Sequence, residues 1–430
     1  MTSPVTLCVL FSEGAISPRE LLIALENYDP VVFAIGNDAY ARSYLPLIET
    51  AGTVVELTGD TAVDATRLKA AGVTGIVTYS EGGIPVGARL TERLGLPGHD
   101  VATATALTDK HTQRALLSSA GAGGVDSRLI TCTEDWDAAV HEIGLPLVVK
   151  PRCGERSRNA RPVRDADEGR ALVARLLDRA AAGHEKDLVA EQYLVGLPTH
   201  PYGDYVSVES VSSEGIIRHI GVTGKFPLSP PFREMGHFCP APFAPDSLGE
   251  IEELVGTALR ALGVRHGITH TEVKLTAQGP RIIEVNGRLG GFMAALYRRS
   301  QGLDLIQVAA DLALGRPGIP AGKPDGLTHF QYTTRAPVDA RRLVSVSGRD
   351  VLLTHPMVDA YQLYVIPGAP LDPDMTYLDC VSGSAGSPAE MMRDIDECLA
   401  LLTYEFEMPD GSLSIDGASL RAATSPARST

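Results

Sequence analysis

Cysteine is sparse and unpaired in this sequence. Six residues (Cys8, Cys132, Cys153, Cys239, Cys380 and Cys398) are scattered over 430 positions with no CxxC spacing. That argues against a zinc site or a disulfide framework and reads as reduced thiols in a cytoplasmic protein. Cys153 lies beside the most basic loop, where it is either a reactive thiol or a passive one. Long apolar runs are also missing, so no segment reads as a membrane span. The opening "MTSPVTLCVLFSEG" lacks the basic region, apolar core and cleavage site of a signal peptide. Positive charge is the third shortage. Lys and Arg number 38 against 53 Asp and Glu, a formal net charge of −15, which argues against general affinity for nucleic acid or anionic lipid. An anionic substrate must therefore meet a locally basic cleft. No GxGxxG follows the first predicted strand, so a dinucleotide site there has no support. No internal repeat is found.

What is present is enough apolar residue, 44%, for large cores, in a chain long enough for about three or four domains or subdomains. Residues 1–105 alternate short β-rich runs ("VTLCVLF", "VVFAIG", "TVVEL", "TGIVTY") with helical patterns, which predicts a parallel sheet covered by helices. The loop near Glu81 follows the last of these runs, at the strand end where such sheets bind ligands. A helix follows in "TDKHTQRALLSSAG", capped by Thr108 or Asp109 and stopped at Gly121. Lys110 falls in its first turn, against the helix dipole: either it serves a site or it is an exposed lysine.

The run Leu145–Val149 ends at Lys150, and Pro151 stops regular pairing. A loop with Arg152, Arg156, Arg158 and Arg161 follows, either a polyphosphate site or a solvated basic loop. "DLVAEQYLVG" predicts a strand centred on Glu191, and "YVSVESVSSEGIIRHIGVTGKF" a hairpin. "PLSPPFREMGHFCPAPF" is too rich in proline for a central strand and predicts an extended loop, with Arg233 and His237 facing a site or solvent. A helix, "DSLGEIEELVGTALRALG", comes next. From about 325 the pattern is β-rich, followed by a helix over "SPAEMMRDIDECLALLTYEF", and suggests a small cap without evident chemistry. Residues 411–430 are small and polar and predict a disordered tail.

The stretch "HTEVKLTAQGPRIIEVNGRLGG" carries the strongest pattern. Val273, Leu275, Ile283 and Val285 alternate with Glu272, Lys274, Glu284 and Asn286, the period of strands with one buried face. A three-residue turn at Ala277-Gln278-Gly279 places Glu272 opposite Glu284. Opposed carboxylates about 5 Å apart at Cβ repel unless something positive lies between them. Either a hard cation such as Mg²⁺ is held there, with Asn286 adding an oxygen, or the hairpin is solvent-facing.

Taken in order, the helix-start lysine, the strand-end lysine before a proline–glycine loop, "EQYLVG", and "TEVKL…IIEVNGRLGG" resemble the ATP-grasp superfamily over roughly residues 1–400. The segment "GKFPLSPPFREMGHFCPAPF" is similar to the carboxylate–amine ligases that join amino acids into dipeptides. The resemblance implies an α/β and α+β fold. It would comprise a parallel α/β domain (1–105), a two-part nucleotide-binding region (106–195 and 196–322), a C-terminal α+β cap (323–410) and the tail (411–430).

It further implies ATP as nucleotide and Mg²⁺ or Mn²⁺ as metal. Lys110, Lys150 and Ser157 would lie at the phosphates, Glu191 with Tyr193 and Leu194 at the adenine, and Asp204 at the ribose. Glu272, Glu284 and Asn286 would hold the metal. Arg288, His237, Gly290 and Gly291 would face the substrates, with Arg288 and His237 catalytic. Partners would be small-molecule acids and amines, with a homodimer as the base-rate assembly. The phosphate loop departs from the family by keeping only Gly154 and Ser157, and Gly287 stands where proline is common. Rival readings are a carboxylase or purine-pathway relative, or a nucleotide-binding regulatory protein without catalysis.

Overall fold

The structure, a computed structural model, describes residues 5–154, 158–181, 187–316, 321–371 and 377–424. Ser157 and Arg156, two residues of the basic loop singled out above, lie outside the described residues.

The four N-terminal runs form a parallel sheet in the order Thr53–Glu56, Val31–Ile35, Thr6–Phe11, Val73–Thr78. Its middle strands are buried along their whole length, as expected when helices cover both faces. A second sheet is antiparallel, ordered Ser127–Ile130, Leu188–Gln192, Leu147–Pro151, Arg161–Val163. Helices Thr133–Ile143 and Ala166–Ala181 flank it, and the fully buried Trp136 sits in its core.

The third sheet is the largest and organises the site. Its eight strands run Gly279–Asn286, Gly267–Thr276, Tyr205–Ser213, Ile216–Lys225, Gly236–Cys239, Thr328–Arg335, Tyr377–Ala385, Val358–Leu363. The hairpin between Tyr205–Ser213 and Ile216–Lys225 turns on Glu214 and Gly215, both at positive φ (53° and 85°), the backbone a tight two-residue hairpin turn requires. This sheet crosses the boundary expected at residue 322, because Thr328–Arg335 pairs directly with Gly236–Cys239. The C-terminal strands thus extend the sheet that carries the acid hairpin.

Three local expectations are corrected. Gly236–Cys239, within the proline-rich stretch, is an interior strand; Pro231 and Pro240 fall outside it, so no ladder donor is lost. The helix predicted to run through "LLTYEF" ends at Ala400, and Thr403–Met408 is a strand whose Tyr404 and Phe406 are buried. Residues 411–424, expected to be disordered, form strand Gly411–Asp416 and helix Gly417–Thr424. The strand pairs with Thr403–Met408, and Leu420 is buried in the adjoining core. Composition could not reveal that pairing, which ties down an otherwise polar segment.

Candidate functional site

A cavity of about 490 Å³ opens between the second and third sheets. Lys110, Lys150, Glu191, Tyr193, Leu194, Glu272, Glu284, Asn286, Arg288 and Gly291 all contribute to its walls.

Lys110 begins helix Lys110–Ser119, capped by Asp109, whose carboxylate accepts from the His111 and Thr112 amides. That helix presents Lys110, Gln113, Arg114 and Leu117 inward, the spacing of one buried face. The polar members clip it to the acid hairpin. Gln113 donates to the Val285 carbonyl and accepts from the Val285 amide, both at 2.9 Å. Arg114 donates to the carbonyls of Ile282 and Ile283. Lys110 is thereby held 3.0 Å from Glu284, and it donates to the Gly154 carbonyl at 2.7 Å. Burial opposes its charge, but Glu284 prevails and the pKa is raised. Gln113 and Arg114 escaped the sequence reading. The signal was a polar stripe at helical spacing on the lysine's own face.

Lys150 is the penultimate residue of strand Leu147–Pro151, in which Pro151, expected to stop the pairing, still pairs with Leu188, and it lies 2.9 Å from Glu191. Arg114 adds a bidentate contact to the same carboxylate, Nε and Nη2 each at 2.9 Å. Burial raises the Glu191 pKa, but the two cations outweigh it and bring it down to about 2. Glu191 was expected to hold adenine. Its carboxylate is instead committed to Arg114 and Lys150, so its part is to fix Lys150.

On the hairpin, Glu272 is paired directly with Glu284 and His270 with Asn286. The turn is shorter than expected, since Thr276 pairs with Gly279 (φ +91°) around Ala277-Gln278 alone. A bulge at Ile283 restores the register. It also places Ile282 in the core and turns Ile283, expected there, onto the cavity wall. Among the described residues no three His, Cys, Asp or Glu side chains converge as for a metal. The donor set here is two carboxylates and a carboxamide. The Asn286 amide nitrogen leans on the His270 carbonyl at 3.4 Å, and its oxygen faces Arg288 at 3.5 Å. These all-oxygen donors fit a hard divalent cation such as Mg²⁺.

Arg288 lies 3.1 Å from Glu81 of the N-terminal unit and donates to the Leu289 carbonyl. Gly290 is buried rather than lining, and a Cβ there would overlap the His270 ring. His270, also missed, lines the cavity. Its Nδ1 pairs with the fully buried Glu209, and its Nε2 is 3.7 Å from Glu272. Phe292, at φ +66°, also lines the wall, a strained conformation for a bulky side chain.

Two expected residues are displaced. His237 is 3% exposed and is not among the lining residues. Its Nδ1 accepts from the Lys225 ammonium at 2.9 Å, and Lys225 also pairs with Glu234 at 2.9 Å. Burial and the Lys225 charge lower its pKa to about 3. It is a neutral support for Lys225, not a proton acceptor facing the cavity. Asp204 is bonded to Lys274 at 2.7 Å and does not line the cavity, though Lys274 does.

Among the described residues no helix is long and apolar enough to cross a membrane. Residues 143–295 match the family model of the ATP-grasp domain. The alanine–anticapsin ligase of Bacillus subtilis (strain 168) is 31% identical over 271 residues, 60% of this chain and 57% of that relative. The chain therefore spans less than two thirds of that relative's length. The L-amino acid ligase structure from Bacillus licheniformis superposes with a TM-score of 0.74 at 20% identity, covering 94% of this chain and 98% of that one. Phosphoribosylglycinamide synthetase from Anaerococcus prevotii gives 0.66 at 13% identity, covering 93% and 98%. Residues 143–295 thus form an ATP-grasp domain, and nearly the whole chain shares the fold of the L-amino acid ligase structure.

Proposed function

We propose that the protein is an ATP-dependent carboxylate–amine ligase, forming an amide between the carboxylate of an amino acid and a second amine and releasing ADP and phosphate. The single observation that carries this reading is the convergence of Lys110, Lys150, the facing Glu272 and Glu284, Asn286 and Arg288 on one cavity. The relative with 31% identity, itself named a ligase of alanine, points the same way.

A carboxylate is a poor electrophile until one of its oxygens carries a phosphoryl group. In that step the substrate oxygen bonds to the γ-phosphorus of ATP as the bond to ADP breaks. Positioning and charge neutralisation are what phosphoryl transfer chiefly requires. Lys110 and Lys150 supply positive charge at the phosphate end, the first oriented by the half-buried Glu284 and the second by the buried Glu191. A divalent cation held by Glu272, Glu284 and Asn286 would neutralise further charge on the triphosphate. The amine nitrogen then bonds to the acyl carbon and phosphate leaves. Arg288, steadied by Glu81, is placed to stabilise the oxyanion formed on the way. His237 takes no proton in this scheme.

Incubation with ATP, Mg²⁺ and pairwise amino-acid mixtures, read by phosphate release and mass spectrometry, tests the proposal. Phosphate and an amide product are expected with productive pairs. AMP and pyrophosphate as products, or turnover with bicarbonate in place of the amino-acid carboxylate, would overturn it.

A further inference from the structure

Behind the acid hairpin stands a carboxylate that the chemistry above leaves unused. Glu209 lies in strand Tyr205–Ser213 with none of its side chain exposed. A charge taken out of water is costly unless it is paired and hydrogen-bonded, so its partners show what it holds. Two rows of side chains cross three strands of the third sheet. Ser207, Glu272 and Glu284 form one row, and Glu209, His270 and Asn286 form the next. Directly opposed residues of antiparallel strands share a face, with Cβ atoms about 5 Å apart. Glu209 and the three oxygen donors therefore belong to one patch, with His270 in its middle.

The His270 ring donates from Nδ1 to one Glu209 oxygen, and its Nε2 edge lies 3.7 Å from Glu272. Among the described residues it is the one basic side chain within ion-pair distance of Glu272. Ser207, the neighbour of Glu272 on the other strand, gives no such support, since its buried hydroxyl has no hydrogen-bond partner among the described residues. The His270 carbonyl also accepts from the Asn286 amide at 3.4 Å. One residue thus touches two of the three donors, by ring and by main chain. The ring has little freedom to turn. A Cβ at Gly290 would stand 2.3 Å from its Nδ1, and the Gly290 amide donates to the second Glu209 oxygen at 3.5 Å. Glu209 fastens the ring on one side and the Gly290 turn on the other, as carboxylates behind a metal site fix the groups in front of them.

We propose that Glu209 is a positioning residue for the cation site: by holding the His270 ring against Glu272, it aims the Glu272 carboxylate at the divalent cation. It touches neither metal nor nucleotide and acts through His270. This rests on the cation reading within the ligase proposal above.

The test uses full-length wild type, Glu209→Gln, Glu209→Asp, His270→Asn and the double variant Glu209→Gln with His270→Asn. Mn²⁺ is titrated in the presence of ADP, free Mn²⁺ is read by electron paramagnetic resonance, and Tm is measured alongside. Glutamine keeps the shape of Glu209, but its one carbonyl oxygen cannot replace both carboxylate oxygens. Glu209→Gln and His270→Asn are each expected to weaken Mn²⁺ binding by about tenfold or more, with Glu209→Asp between. Because Glu209 acts through the ring, the double variant should bind Mn²⁺ within about twofold of His270→Asn alone. A lowered Tm with Mn²⁺ affinity within about twofold of wild type in both single variants is what support of the fold alone would give, and it overturns the proposal. Losses that multiply in the double variant also overturn it. If Glu209→Gln does not fold, Glu209→Asp and His270→Asn are judged against wild type by the same criteria. Phosphate release with amino-acid mixtures, run in parallel, judges the ligase reading separately: without turnover that reading fails, while the Mn²⁺ losses still establish the positioning role. No Mn²⁺ binding by wild type overturns that role together with the cation site.

Discussion

Glu272 and Glu284 face each other across the acid hairpin because Ile283 bulges out of register, not because of the turn. With the two-residue turn alone, Glu272 would stand opposite Ile283, and Glu284 would point to the other face. The single extra residue brings two carboxylates to one wall and adds an apolar side chain beside them. Lys110 then lies against Glu284. The hairpin, its bulge and the helix clipped to it act as one unit.

The metal reading predicts that Glu272→Gln and Glu284→Gln each raise the Mg²⁺ concentration for half-maximal phosphate release by about tenfold or more. Titration of Mg²⁺ at saturating ATP measures this. An unchanged Mg²⁺ requirement in both variants would remove these residues from the donor set.

Arg114 joins Glu191 to the hairpin carbonyls from a site only 4% exposed. Arg114→Met leaves the Glu191 carboxylate short of a partner and two carbonyls without a donor. The expected loss is about 3–5 kcal/mol of stability, read as a lower urea midpoint with unchanged slope. Arg114→Lys should recover only part of it, since one ammonium cannot reproduce the fork.

Acid sensitivity should trace in part to Glu191. Its folded pKa of about 2 lies below the ordinary 4.5, so the unfolded chain takes up the proton first as pH falls. The stabilisation is fully present above pH 4.5 and is lost between 4.5 and 2. That window corresponds to roughly 3 kcal/mol. In Glu191→Gln the slope of stability against pH over this range should flatten. A variant as steep as wild type would point to other groups.

His237 acts in a neighbouring window. Its folded pKa of about 3 lies below the ordinary 6.5. Between these values the unfolded chain binds a proton that the folded chain refuses, so stability falls as pH drops from 6.5. His237→Gln should lessen that fall and leave the pH dependence above 6.5 untouched. The wild-type profile of kcat/KM should show no limb that His237→Gln abolishes.

Neighbouring glycines should separate packing from access. An alanine methyl at Gly290 would overlap the His270 ring, whereas at Gly291 it meets nothing within 4 Å. Gly290→Ala is expected to cost about 1–3 kcal/mol by overpacking, and Gly291→Ala to keep the wild-type Tm. Thermal unfolding of the two variants side by side decides this.

The alternation around Glu272 and Glu284, the strand-end Lys150 and the capped helix at Lys110 were legible because each is a local pattern of period two or 3.6. So were the four N-terminal strands, the middle two of which carry their burial in their apolar composition. Local pattern did not reveal that Glu191 would be committed to Arg114 and Lys150, or that His237 would turn behind Lys225. Both depend on partners brought from 77 and 12 positions away.

By itself, then, the sequence determined which residues could form strands and helices and which charged groups sat at their ends. The tertiary structure alone decided which of those groups meet across the cavity, that Arg335 reaches it from an interior strand of the third sheet, and that residues 411–424 are tied down by pairing. Periodicity is a property of neighbours along the chain, whereas pairing and desolvation are set by whatever the fold brings close.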